Sequence, residues 1–177
     1  MSYTKDTANG TLVFHYASDD LFDRVNALSL YKGKAIKNQA GESMIDDVAM
    51  TAGERDAFNI FMPTAATKVF SIVIKMTNSV TNALIIDGAV DFGDASDSDL
   101  TNQYAVLVED NDAYNENVLQ QVDKGIQDML TFHCLSDWYE LMNLDEQAAK
   151  MLAKYNEMRL EMVNKRLFDL RKPLMSL

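Results

Sequence analysis

The sequence holds a single cysteine, Cys134. An intrachain disulfide is therefore impossible, and so is a zinc site built on paired thiolates. The chain is expected to mature in a reducing compartment, or to need no bridges. Only 2 prolines and 7 glycines occur, which favours long regular elements over a loop-rich fold. The glycines never take a G-x-G-x-x-G or Walker spacing, and no serine stands in a G-x-S-x-G elbow. Phosphate-loop and nucleophile-elbow motifs are thus excluded. Residues Met1 to Gly10 are polar, so no secretory signal is expected there. The longest apolar stretch, Val69 to Met76, is interrupted by Ser71 and Lys75 and is too short to span a membrane. No repeat period or low-complexity tract is present.

Apolar residues make up 47% of the 177 positions and charged residues 24%, proportions of a globular, soluble domain. The formal charge is −11, from 16 basic and 27 acidic residues. Such a field repels nucleic acid and acidic membranes at long range. The charge is split: residues 150–177 carry seven bases against three acids, a net +4 that leaves −15 on residues 1–149. An acidic body with a basic end can pack tail on body, within a chain or between neighbours. Equally, the bases can complement the C-terminal end of the last helix dipole.

Residues 11–16 read as a short strand, rich in β-branched and aromatic types. Ser18-Asp19-Asp20 opens a helix whose apolar positions are Leu21, Phe22, Val25 and Leu28, with Gly33 as the stop. Residues 36–50 lack a period and are expected to form a loop. Thr51 and Glu54 have the spacing of a capping box. After it, Phe58, Phe61, Met62, Ala65, Val69, Ile72, Val73 and Met76 mark one helical face. Pro63 within it predicts a kink, or two shorter helices. The β-rich segments 83–87 and 103–109 predict a β-hairpin around a long acidic loop, about 88–102. Two long helices follow, about 115–142 and 144–170, joined by a turn that forces an antiparallel hairpin. Asn143 and Glu146 are a candidate capping pair for the second. Val118, Val122, Ile126, Met129 and His133 share a face of the first. Ala148, Met151, Leu152, Tyr155, Met158 and Met162 share a face of the second. The stretch from Phe132 to Met142 is apolar nearly all round, which hints at burial by other subunits. The fold class predicted is mainly α: a bundle of about four helices in one domain, 1–177, with a C-terminal helical hairpin and a small β-hairpin.

Chemistry is sparse. His133 and Cys134 are adjacent, and adjacent helical residues point about 100° apart rather than toward each other. A nucleophile–base pair is therefore disfavoured against a buried thiol beside a core imidazole. The acidic loop residues Asp91, Asp94, Asp97 and Asp99 could hold Ca²⁺, but the EF-hand order is absent and a solvated loop is the simpler reading. No cofactor or metal is expected, and no catalytic residue is assigned. Trp138 reads as a core anchor in preference to an interface residue. The tail 171–177 follows the expected helix end, because Pro173 disfavours helical geometry at Lys172. Arg171 and Lys172, with Leu174 and Met175, are candidate partner-binding residues.

The order of elements, with Thr51-Ala-Gly-Glu54 opening the long helix, Ser136-Asp-Trp-Tyr-Glu140 on the next, and Lys165-Arg-Leu-Phe-Asp-Leu-Arg-Lys-Pro173 at the end, resembles the small head–tail connector proteins of tailed bacteriophages, including ring proteins of crAss-like phages. The resemblance implies a mainly helical, non-enzymatic virion subunit. It also implies a homo-oligomeric ring in the neck between portal protein and tail or further connector proteins, made in the host cytoplasm. DNA would pass through its channel without specific binding, and no membrane would be involved. The acidic charge suits such a channel. The acidic hairpin loop and Pro63 depart from the general pattern. The alternative is a non-viral helical protein–protein interaction module; a third reading is an enzyme working through His133 and Cys134.

Overall fold

The computed structural model describes residues 3–6, 10–38, 40–77, 83–86, 103–109 and 116–164. It is mainly α, with a small antiparallel sheet. The elements, in order, are β1 (Tyr3–Asp6), β2 (Thr11–Ala17), α1 (Ser18–Gly33) and the short α2 (Ile45–Val48). A 3-10 turn (Ala52–Glu54) leads into α3 (Arg55–Thr77), followed by β3 (Ala83–Ile86), β4 (Gln103–Glu109), α4 (Glu116–Leu141) and α5 (Asp145–Asn164).

The sheet has four strands in the order β1-β2-β4-β3, all antiparallel. The expected hairpin is β3 with β4; its acidic loop, including 91–99, lies outside the described residues. Strand β2 joins this hairpin by setting Leu12, Phe14 and Tyr16 opposite Val108, Val106 and Tyr104. Those six side chains are buried. The alternation along β2 shows why: every second residue faces the helices, as a period of two demands. Strand β1 was not expected. Thr4, Lys5 and Asp6 are polar, so the strand owes its existence to its pairing with β2 across a turn where Gly10 takes φ +62°.

Helix α3 lies on the sheet and against α4. Its core residues Phe58, Met62, Ala65, Val69 and Val73 are the ones its spacing marks, joined by Ala66 and Phe70. Pro63 does not divide it: one helix runs through from Arg55 to Thr77. The stretch Ile45–Thr77 is long and apolar enough to cross a membrane by those two measures alone, which a count of unbroken apolar runs misses. Phe58, Met62, Val69, Phe70 and Val73 of this stretch pack into the core, while Ile60 is exposed. Phe22 meets Phe58 edge-on at 5.3 Å, and Tyr16 stacks on Phe70 at 6.3 Å. Arg55 covers the first pair, its guanidinium 4.5 Å from the Phe22 ring centre, and is tied to Asp19 at 2.7 Å and to Ser18 Oγ at 3.0 Å.

The capping box forms: the Thr51 amide donates to Glu54 Oε2 at 2.8 Å, and the Thr51 hydroxyl accepts from the Gly53 amide at 3.3 Å. Residues 36–50 are tighter than a loop. Besides α2, they carry a bridge between Lys37 and Ser43. Ser29 Oγ receives the Met50 amide at 2.9 Å, and Asn26 Nδ2 donates to the Met50 carbonyl at 2.8 Å.

Helices α4 and α5 form the expected antiparallel hairpin. Asn143 does not open α5. It adopts φ +57° and closes α4, its amide donating to the Glu140 carbonyl at 3.0 Å while the Leu144 amide reaches Tyr139 at 2.8 Å. That is a Schellman ending, in which asparagine tolerates the left-handed position. Glu146 instead pairs with Lys150 at 2.6 Å. Residues 165–170, expected to continue α5, lie outside the described residues.

Candidate functional site

Three places bring together chemistry-bearing or unpartnered side chains. The first is on the apolar half of α4. Cys134, Leu135, Trp138 and Tyr139 are buried there by the chain's own elements, so their apolar character needs no other subunit, while Leu141 of the same segment is exposed. Trp138 is a core residue whose Nε1 donates to the Val48 carbonyl at 2.9 Å. His133, 4% exposed, does not face the Cys134 thiol. Its Nε2 lies 2.9 Å from Lys68 Nζ on α3. Its Nδ1 stands 3.2 Å from Asp137 Oδ2, one turn along α4, without hydrogen-bond alignment. The Tyr155 ring of α5 meets the imidazole edge-on at 5.1 Å. Burial pushes the Cys134 thiol far up, and the nearby Asp137 carboxylate adds to this. A thiol so disposed is a poor source of thiolate, which weighs against the reading of His133 and Cys134 as a catalytic pair.

The second place is a cleft of about 390 Å³ where β2, α1 and α4 meet, lined by His15, Asp20, Arg24, Gln103 and Gln127 among others. Two of its lining residues have partners. Arg24 bonds to Asp128, and His15 Nε2 lies 3.2 Å from the Thr4 hydroxyl. Burial lowers the His15 imidazole, against the opposing pull of Asp123. Burial also raises the Tyr16 hydroxyl well above the ordinary tyrosine range, with the Asp123 charge adding to it. The Tyr16 hydroxyl donates to the Asp123 carbonyl at 3.5 Å. Arranged this way, these groups lock β2 and α1 to α4.

The third place is the outer face of α5. The sequence spacing places Leu152 on the core face with Ala148, Met151, Tyr155, Met158 and Met162. It is 43% exposed, while Ala148, Met151, Tyr155 and Met162 are buried and Met158 is partly buried. The reason is geometric: residue 152 lies about 100° round the helix from residue 151. Leu152 belongs instead to a second stripe with Leu160 and Val163, exposed 51% and 47%. Ala149 and Asn156 complete its intervals of three and four. The helix thus carries two apolar stripes, the second interrupted by Asn156, and among the described residues only the first is covered. The sequence held this signal, since those intervals show in the residues themselves, but one face was read where there are two.

The candidate partner-binding residues Arg171, Lys172, Leu174 and Met175, and the acidic cluster Asp91, Asp94, Asp97 and Asp99, lie outside the described residues.

No protein-family model, curated protein or solved structure matches this chain.

Proposed function

We propose that this chain is a structural subunit of a tailed-phage neck, a head–tail connector that assembles as a homo-oligomeric ring between portal and tail and passes DNA without specific binding. The observation that carries the reading is the outer stripe of α5. Leu152, Leu160 and Val163 stand in water on a helix whose other apolar face is already in the core. Exposed aliphatic side chains along one helix face, here interrupted by Asn156, are suited to protein–protein contact. A ring needs each copy to present one surface to a different surface of the next, and a stripe that no other described element covers is suited to that. The mainly helical architecture and the Trp138-Tyr139-Glu140 segment supporting the core agree with the resemblance to connectors. The contacts of His133 Nε2 with Lys68, of Arg24 with Asp128 and of Tyr16 with Asp123 join separate elements, which supports a structural role over catalysis. In this reading Arg171 and Lys172 steer the tail and Leu174 and Met175 anchor it on a neighbouring subunit.

Electron microscopy of the concentrated protein, alone and with a portal protein of a tailed phage, tests this. Closed rings, or decoration of the portal, are expected. A protein that stays monomeric at all concentrations and does not bind the portal overturns the reading. If it binds some other protein through α5, the non-viral interaction module takes its place.

A further inference from the structure

The contact between α3 and α4 has at its edge a buried imidazole between an ammonium and a carboxylate. Lys68 Nζ lies 2.9 Å from His133 Nε2, and Asp137 Oδ2 lies 3.2 Å from His133 Nδ1. A lysine ammonium has only protons to offer. His133 Nε2 must then present its lone pair, which puts the ring proton on Nδ1, facing Asp137. The neutral imidazole has a fixed polarity: it accepts from α3, and its N–H lies on the side of the carboxylate of its own helix, 3.2 Å away and out of hydrogen-bond alignment.

Adding one proton destroys half of that arrangement. It goes to Nε2, the only free ring position, and removes the acceptor that Lys68 uses. Two cationic groups would then stand at hydrogen-bond distance. The groups facing His133 decide which partner leaves. Asp137 on α4 gains an imidazolium partner and stays. Tyr155 on α5 presents its ring, and burial raises its hydroxyl, with Arg159 opposing. Cys134, beside it on α4, is buried and held as the neutral thiol. Lys68 is an exposed residue on a long flexible stem, so it can turn into solvent at little steric cost.

We propose that Lys68, His133 and Asp137 form a proton-operated latch between α3 and α4. Neutral His133 holds Lys68 against α4, and protonated His133 releases it to solvent while keeping Asp137. The helices themselves stay packed, because Met62, Val69, Met129 and Leu130 remain in one apolar core. What changes is the surface along this seam: a lysine held beside Asp137 becomes a free ammonium on the outside of α3.

The chain has 2 histidines, so nitrogen-resolved nuclear magnetic resonance of the full protein can follow each ring. The expected result is an Nδ1–H tautomer for His133 at neutral pH, with a through-space contact between the Lys68 side chain and the His133 ring. On acidification that contact should vanish as the His133 ring titrates, while the methyl signals of Met62 and Met129 stay native. In Lys68→Met the fold should persist and the tautomer preference should weaken. An Nε2–H tautomer at neutral pH overturns the proposal. So does a Lys68 contact that survives protonation, or a ring that remains neutral until the protein unfolds in acid.

Discussion

Trp138 Nε1 donates to the Val48 carbonyl at 2.9 Å, joining α4 to the short helix α2 across ninety positions of sequence. The indole is 4% exposed and Val48 is 1% exposed, so neither polar atom has ready recourse to water. Replacing Trp138 by Phe keeps an aromatic ring and removes the donor. A buried carbonyl left alone costs about 1–3 kcal/mol, and we expect a loss of that order in urea unfolding followed by circular dichroism. An unchanged midpoint would mean that water already serves the Val48 carbonyl.

Tyr139 makes the opposite case. Its side chain is fully buried, and its hydroxyl has no hydrogen-bond partner among the described residues; burial pushes the phenol up to about 12. An orphan hydroxyl contributes a desolvation cost and nothing in return. We therefore expect Tyr139→Phe to unfold no more easily than the parent, and to gain up to about 1–3 kcal/mol. A clear loss would reveal a buried water bound to the hydroxyl.

Ile126 faces the core from the middle of α4 at 0% exposure. Ile126→Asp places a carboxylate there with no partner, at a cost of several kcal/mol. Against a typical stability of about 5–15 kcal/mol, that suffices to cripple the fold. Native-like thermal unfolding of this variant would show that the face is misassigned.

The faces of α3 and α4 were legible because each carries one apolar stripe of period 3.6, and tertiary packing agrees with it at Phe58, Met62, Val122 and Ile126. Strand β1 was not legible, because Tyr3 and Thr4 are too short a run of strand formers and its pairing with β2 leaves no local trace. Neither was the joining of β2 to β4, since pairing between distant segments leaves no local trace. Asn143 was misread because an asparagine between two helices can cap either one, and only its backbone angle decides. The His133–Asp137 spacing of one turn was visible in sequence, but Lys68 lies 65 positions away and enters only through the packing of α3 on α4. The apolar half of α4 suggested other subunits because sequence does not show how many elements of its own chain surround it.

His15 gives a dependence on pH. Burial lowers its imidazole below the ordinary value of 6.5, so the unfolded chain takes up the proton first as pH falls. Stability contributed by the neutral ring is full above 6.5. It declines as pH drops below that value and is gone once the folded ring is also protonated. The ring is half-buried, so the effect is modest. We expect the thermal midpoint of the parent to fall faster than that of His15→Gln between about pH 7 and pH 5. Parallel curves would assign the acid loss to other groups.

The outer stripe of α5 separates folding from assembly. Leu152 and Leu160 are exposed 43% and 51%, so replacing both with Asp removes little that the subunit buries. Surface changes of this kind usually shift stability by about 0.5 kcal/mol or less each. The same two carboxylates, pressed into an apolar contact with a neighbour, would be desolvated without partners. Leu152→Asp/Leu160→Asp should therefore unfold like the parent and fail to assemble, as judged by sedimentation and by electron microscopy. Met151→Asp is the internal control: its neighbouring position faces the core at 3% exposure, and there the fold itself should fail. If the double variant assembles as well as the parent, the stripe is not the contact, and the proposed ring loses the surface on which it rests.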